Sequence, residues 1–466
     1  MHQERRSDWT DGRCSCGKQR TLRRASVMRS ASCRRRPQMI VQHPLWSLVS
    51  HLSGGAVGPL LSFVALFALP LLGAVVLDDR NFAFWALLST IATVALSLDF
   101  GGVALVTARF FAEPKAKLIM KSSALSASGA FTIGAFACIV WIPYRHTEFG
   151  QSIPVAEAIA AIVAMSSASA IRSVLMVVAQ AALIADKLAL RNVATGGHAF
   201  AASAGTSALL FTTHSFWALP LGWLGSGVLV TGLVLPWGWR ARTSETSKAT
   251  VTQVFKWRQY AGLRTLSTIT SSILLNSDRW IVGALGGPVL LAAYEVAWRF
   301  AALPRFLMAT LMLRVAADAA SLGRSDEQRL RALLRGATLI AVAAGGLSCA
   351  PVALAYWAFV SFTGAAEHWP MFLAMLLAFT LSGITAPLSM SGAAVGNAWI
   401  DFPYALCGLV ISGLAAVVAA LSNRPEIFII GYLTGTVISV CCYFLYAPAL
   451  VRRGLETRET TTPTAT

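Results

Sequence analysis

From about residue 56 to residue 449 the chain is a succession of apolar runs separated by short polar breaks. Each run is long enough for a helix to cross a hydrocarbon core of roughly 30 Å, which takes about 20 residues. In lipid every backbone N–H and C=O must be satisfied internally, so only helices and closed barrels can span. Barrel strands alternate apolar and polar residues, and these runs do not. The chain is therefore expected to be all-α and polytopic. Spans are read at 56–77, 82–106, 122–142, 155–181, 193–212 and 216–237, then at 262–285, 289–313, 336–360, 370–394, 402–421 and 425–449. Composition agrees: 56% of residues are hydrophobic and only 13% charged, against about 25% charged in a soluble domain.

The polar stretch near 240–258 divides these twelve transmembrane helices into two six-helix bundles, 46–240 and 259–450, joined by a linker at 241–258. Residues 1–45 form a basic tail with no apolar period, expected to be disordered and cytoplasmic, and 451–466 form a second tail. A start at Met28 or Met39 is an equal reading, which would leave residues 1–27 or 1–38 untranslated. Tight outer turns at Asp78–Asn81 and Gly286–Pro288 echo each other between the halves, and internal repeats are a common build of secondary transporters.

Orientation follows from the basic residues. With both termini in the cytoplasm, only Arg80, Arg145 and Arg424 of the 38 Lys and Arg fall outside. Arg172, Arg279, Arg299 and Arg305 fall deep within spans, and all others lie in cytoplasmic segments or at cytoplasmic span ends, as the positive-inside rule requires. This places the chain in the inner (cytoplasmic) membrane. Trp141, Trp217, Trp357 and Trp369 at outer ends, and Trp237, Trp239 and Trp257 at inner ones, read as an aromatic belt. The same topology accounts for the net charge of +17, so the expected contact of that charge is membrane lipid and not nucleic acid. Cys14 and Cys16 lack the second ligand pair of a zinc site, and Cys138, Cys349, Cys407, Cys441 and Cys442 lie in apolar runs. No metal, cofactor or disulfide is expected.

Two stretches carry a family resemblance. The first contains Leu98-Asp99-Phe100-Gly101 and Arg109 at the end of the second span; the second contains Asp278-Arg279 in the seventh span and Tyr294-Glu295-Val296-Ala297 in the eighth. In these the chain resembles the polysaccharide flippases of the multidrug/oligosaccharidyl-lipid/polysaccharide exporter (MOP) superfamily. The resemblance implies transport of an undecaprenyl-diphosphate-linked oligosaccharide between leaflets for cell-surface polysaccharide biosynthesis. It also implies a polymerase and glycosyltransferases of the same pathway as partners. Asp99, Gly101 and Arg109 are expected to be structural.

A charge at mid-bilayer costs about 2.5–3.5 kcal/mol on insertion scales, so such residues face a cavity or a partner. Arg172 lies roughly 20 Å from the cytoplasmic end of its span by helix rise, beyond the reach of snorkelling, and no acid lies within a turn of it. A diphosphate would be matched by its guanidinium fork; an acid on another helix is the structural alternative. Arg279 and Glu295 stand eight residues either side of Gly287, at similar depth, and Glu295 and Arg299 are i,i+4. With Asp278 they form either a salt-bridge lock on the hairpin or a lumen-facing cluster. Arg305 after Pro304 either snorkels or contacts substrate. His198 beside Gly196-Gly197 reads as a packing histidine.

Arg172, Arg279, Arg299 and Arg305 are thus the candidate substrate-binding residues, and no catalytic residue is assigned. The alternative function is a cation-coupled multidrug antiporter of the same superfamily. Such antiporters commonly carry an acid in the first helix, and 56–77 has none. A membrane glycan polymerase or ligase is disfavoured, because the largest outer loop, 143–154, holds only Arg145, His146 and Glu148 as charged or titratable groups.

Overall fold

The computed structural model describes residues 57–97, 116–184, 188–240, 254–321, 327–364, 368–395, 397 and 399–459. The tail at 1–45, the sequence motif of Asp99, Gly101 and Arg109, and most of the linker lie outside them. The described residues form helices and no strands. In chain order they are α1 (Val57–Val76), α2 (Asp79–Ser97), α3 (Ala116–Tyr144), the short α4 (Glu148–Gln151), α5 (Val155–Ile184), α6 (Leu188–Asn192), α7 (His198–Thr213) and α8 (Ala218–Arg240). The second series is α9 (Val254–Ala301), α10 (Leu303–Ser321), α11 (Glu327–Thr363), α12 (Trp369–Gly383), α13 (Ala386–Val395), α14 (Phe402–Ser422) and α15 (Pro425–Glu459).

Each expected span is met by a helix. Among the described residues, seven helical stretches are long and apolar enough to cross a membrane. One of them, Gly262–Ala309, folds back at Gly287 and holds two arms. Large apolar side chains facing outward, among them Phe136, Leu229, Leu347 and Val410, fit a lipid-facing surface. The chain is a multi-pass membrane protein.

The helix ends differ from the expected spans in places. α15 continues to Glu459, so residues 451–459 of the C-terminal stretch extend the last helix. α9 begins at Val254, which shortens the linker. Prolines account for the breaks: α10 restarts at Leu303 with Pro304 in its first turn, and the tenth span bends between Gly383 and Ala386, just before Pro387. Proline lacks an N–H and clashes with the preceding turn, so it is tolerated at a helix start and disruptive inside. The two arms of α9 meet at Gly287, with φ 71° and ψ −174°, a conformation essentially confined to glycine.

Helices α1–α8 pack among one another, as do α9–α15, and the two sets meet chiefly where α9 lies along α2. Trp141 was expected in the aromatic belt, but it is fully buried. It stacks on Tyr144 at 5.2 Å and meets Trp280 edge-on at 6.5 Å. Tyr144 also meets Trp280 edge-on at 5.6 Å. The two sets of helices are therefore joined by rings at the end assigned to the outside, and burial between helices outweighs the interfacial preference of this Trp. Trp357 does face outward. Trp217 is half-buried and donates its indole N–H to Glu157 at 3.3 Å.

Candidate functional site

The tight turn at Gly287 sets the register of the two α9 arms. Arg279 comes level with Glu295, eight residues either side of the turn, and Asp278 is reached by Tyr294. By helix rise Arg279 lies about 12 Å and Arg299 about 18 Å from the turn, which brackets the middle of a membrane roughly 30 Å thick.

Glu295 is the centre of the cluster and is fully buried. It accepts the Nε–H of Arg279 through one oxygen. Its other oxygen accepts Nε–H of Arg299 at 2.6 Å and stands 2.5 Å from Arg299 Nη2. The guanidinium of Arg279 lies 4.0 Å over the Trp298 ring, and its Nη1 donates to Asn276 Oδ1 at 3.0 Å. Asp278, also fully buried, accepts from the Tyr294 hydroxyl at 2.6 Å and from the Arg279 backbone N–H at 2.9 Å. Neighbouring positions on one helix point different ways, so Asp278 and Arg279 serve different partners.

The cluster touches the other set of helices. Arg299 Nη2 donates to Ser89 Oγ at 3.3 Å, and Trp280 Nε1 donates to Thr90 Oγ1 at 2.7 Å. Ser89 and Thr90 belong to α2, so the cluster sits on the seam between the two series. Close approach is required there: a methyl on Gly283 would overlap the Tyr144 hydroxyl and come 2.9 Å from Leu291 Cδ2. This is a pre-formed ionic network on the interface between the two sets of helices. It can hold the two sets of helices together, through Arg299 to Ser89.

The four candidate cations do not form one site. Arg172 lies inside the first series, 7% exposed, with its guanidinium 4.4 Å over the Trp223 ring. His198, 1% exposed, meets the same ring edge-on at 6.3 Å. It is delivered by a π-helical turn, Val193–Gly197, that directly precedes α7, a distortion common at functional positions. Arg172 Nη1, His198 Nε2 and Trp223 Nε1 are buried without a hydrogen-bond partner among the described residues. The acid on another helix offered as a partner for Arg172 is absent among the described residues. A cation–π contact worth about 2 kcal/mol when desolvated takes part of its place. Arg305 is half-buried on α10, where α12 approaches so closely that a methyl on Gly383 would come 3.0 Å from its Cα.

No protein-family model matches the chain, and no curated protein does. Solved structures do. A multidrug resistance MATE family transporter of the MOP superfamily, in an inward-facing conformation, aligns with TM-score 0.59 at 14% identity, over 85% of this chain and 96% of that one. The MATE transporter VcmN of Vibrio cholerae aligns with TM-score 0.58 at 12% identity, over 88% and 98%. A MOP superfamily transporter from Pyrococcus furiosus, described as having a binding pocket of reversed polarity that suggests a different function, aligns with TM-score 0.56 at 16% identity, over 86% and 96%. The chain has the two-lobed helical fold of these transporters.

Sequence reasoning missed a second ion pair. Arg264 Nη1 on α9 donates to Asp401 Oδ2 at 2.9 Å across 137 positions, and the Tyr443 hydroxyl donates to Asp401 Oδ1 at 3.2 Å. Asp401 stands at the start of α14, where a carboxylate reads as an ordinary cap, yet its side chain makes no cap bond. Trp223 and Trp298, the ring floors under Arg172 and Arg279, were also missed, because stacking partners on other turns leave no mark in sequence spacing.

Proposed function

We propose that this chain is a membrane transporter that exposes the seam between its two sets of helices alternately to either side of the cytoplasmic membrane. The carrying observation is the buried Arg279–Glu295–Arg299 network, which sits at mid-depth on that seam and reaches across it to Ser89. A charged network is costly inside a bilayer and would be superfluous in a static bundle of apolar helices. The MATE-like fold supports transport over catalysis.

Two cargo classes follow. Cation-coupled multidrug antiport is favoured by what the fold neighbours are, and in that respect fits better than the lipid-linked oligosaccharide reading. A specific observation favours an anionic cargo. Both buried carboxylates, Asp278 and Glu295, are engaged, whereas the buried guanidinium of Arg172 has no carboxylate partner among the described residues. The anion class consistent with paired donors is a diphosphate carried on a lipid, such as an undecaprenyl-diphosphate-linked oligosaccharide. In that case the protein works between glycosyltransferases and a polymerase.

Reconstituted proteoliposomes separate the two. One arm follows leaflet exchange of a fluorescent polyprenyl-diphosphate sugar; the other follows ethidium efflux driven by a proton or sodium gradient. Exchange without gradient-driven efflux supports the anionic cargo, and efflux without exchange supports antiport. Neither activity in protein that is folded and correctly inserted overturns the transporter reading.

A further inference from the structure

A groove of about 840 Å³ runs between α11 and α15, with Leu388 of α13 at its floor. Its two ends differ in chemistry. Arg331, Arg335 and Arg452 lie toward the end where α11 begins and α15 finishes, whereas Leu339, Phe444 and Leu445 line the end that runs into the apolar spans. The groove follows α11 from Glu327 to Leu339, a length of about 18 Å at helix rise. One leaflet of hydrocarbon is about 15 Å, half of the core thickness.

The charges at the basic end are not all spoken for. Glu327 accepts Arg331 Nη2 at 2.6 Å, so these two neutralise each other. Arg335 and Arg452 have no hydrogen bond or ion pair among the described residues, and both are exposed. Leu339 and Leu445, at 71% and 84% exposure, open the apolar walls outward toward lipid.

We infer that this groove is a binding site for one anionic glycerophospholipid of the leaflet on the basic side, its phosphate between Arg335 and Arg452 and one acyl chain along Leu339, Leu445 and Phe444. Charge complementarity selects an anionic headgroup, and the apolar length selects a lipid over a free phosphate. A basic pocket between spans on the positive side is the setting in which such headgroups bind. The occupant does not depend on the transported cargo, because the groove opens on the outer flank of the second series and not on the seam.

Native mass spectrometry of the full-length purified protein tests it. Delipidated protein is titrated with phosphatidylglycerol, with phosphatidylcholine of the same chains, and with glycerol phosphate as the chainless headgroup. A phosphatidylglycerol adduct of one per chain is expected, with weaker phosphatidylcholine binding and none by glycerol phosphate. Arg335→Gln with Arg452→Gln should weaken the phosphatidylglycerol adduct roughly 25-fold, at about fivefold per arginine, and leave phosphatidylcholine unchanged. Ala449→Trp, which fills the groove from its exposed wall and keeps every arginine, should remove the adduct too. An adduct that survives both the double charge removal and the groove filling, or equal binding of the two lipids, overturns the inference.

Discussion

Replacing Glu295 by Gln removes one negative charge and leaves two guanidinium groups facing an amide. The wild-type carboxylate is fully buried and serves both Arg279, itself 2% exposed, and Arg299. Losing one member of a buried ion pair typically costs about 3–5 kcal/mol, because the remaining charge is uncompensated. A stability loss of that size should lower the unfolding temperature by several degrees. The measurement is thermal unfolding of the purified protein in detergent, together with its amount in membranes. The network also sets the outcome of a charge exchange. In an isolated pair, Arg279→Glu with Glu295→Arg would restore stability. Here the new Arg would stand against Arg299, and the new Glu would adjoin buried Asp278. The exchange should therefore recover little, whereas Glu295→Gln with Arg299→Gln should recover part of the loss by deleting one orphaned charge. Glu295→Gln with unchanged unfolding temperature, or an exchange that restores wild-type stability, would refute the buried three-residue network.

Three further outcomes are expected. Gly287→Ala forces a side chain into a region costing about 1–3 kcal/mol and should lower the unfolding temperature by several degrees; no change would mean that the hairpin is not turned there. Arg172→Met keeps length and apolar bulk but removes the charge, so normal protein levels with lost transport in the proteoliposome assay would assign the guanidinium to cargo, whereas retained transport would assign it to packing on Trp223. Reporter fusions at Glu245 and Glu367 should report opposite sides of the membrane, because the Lys and Arg distribution requires it, and the same side for both would break the twelve-span topology.

The hairpin of α9 shows what the sequence by itself determined. Run length dictated helices, since a backbone in lipid has no other partner. Gly286-Gly287-Pro288 between two apolar runs dictated a turn, and equal spacing about Gly287 put Arg279 and Glu295 at one depth. These are local properties, legible because helix rise converts residue number into distance. What faces what across helices is not local. Whether Trp141 looked outward to lipid or inward to Trp280, whether Asp401 capped its own helix or bound Arg264, and whether Arg172 shared a site with Arg279 were open in the sequence. In a chain this apolar, almost every helix face is chemically able to face lipid or another helix, so hydropathy cannot choose. Only the packing of α9 along α2, and of α8 over Arg172, decided which charges meet across the seam and which lies alone on a tryptophan ring.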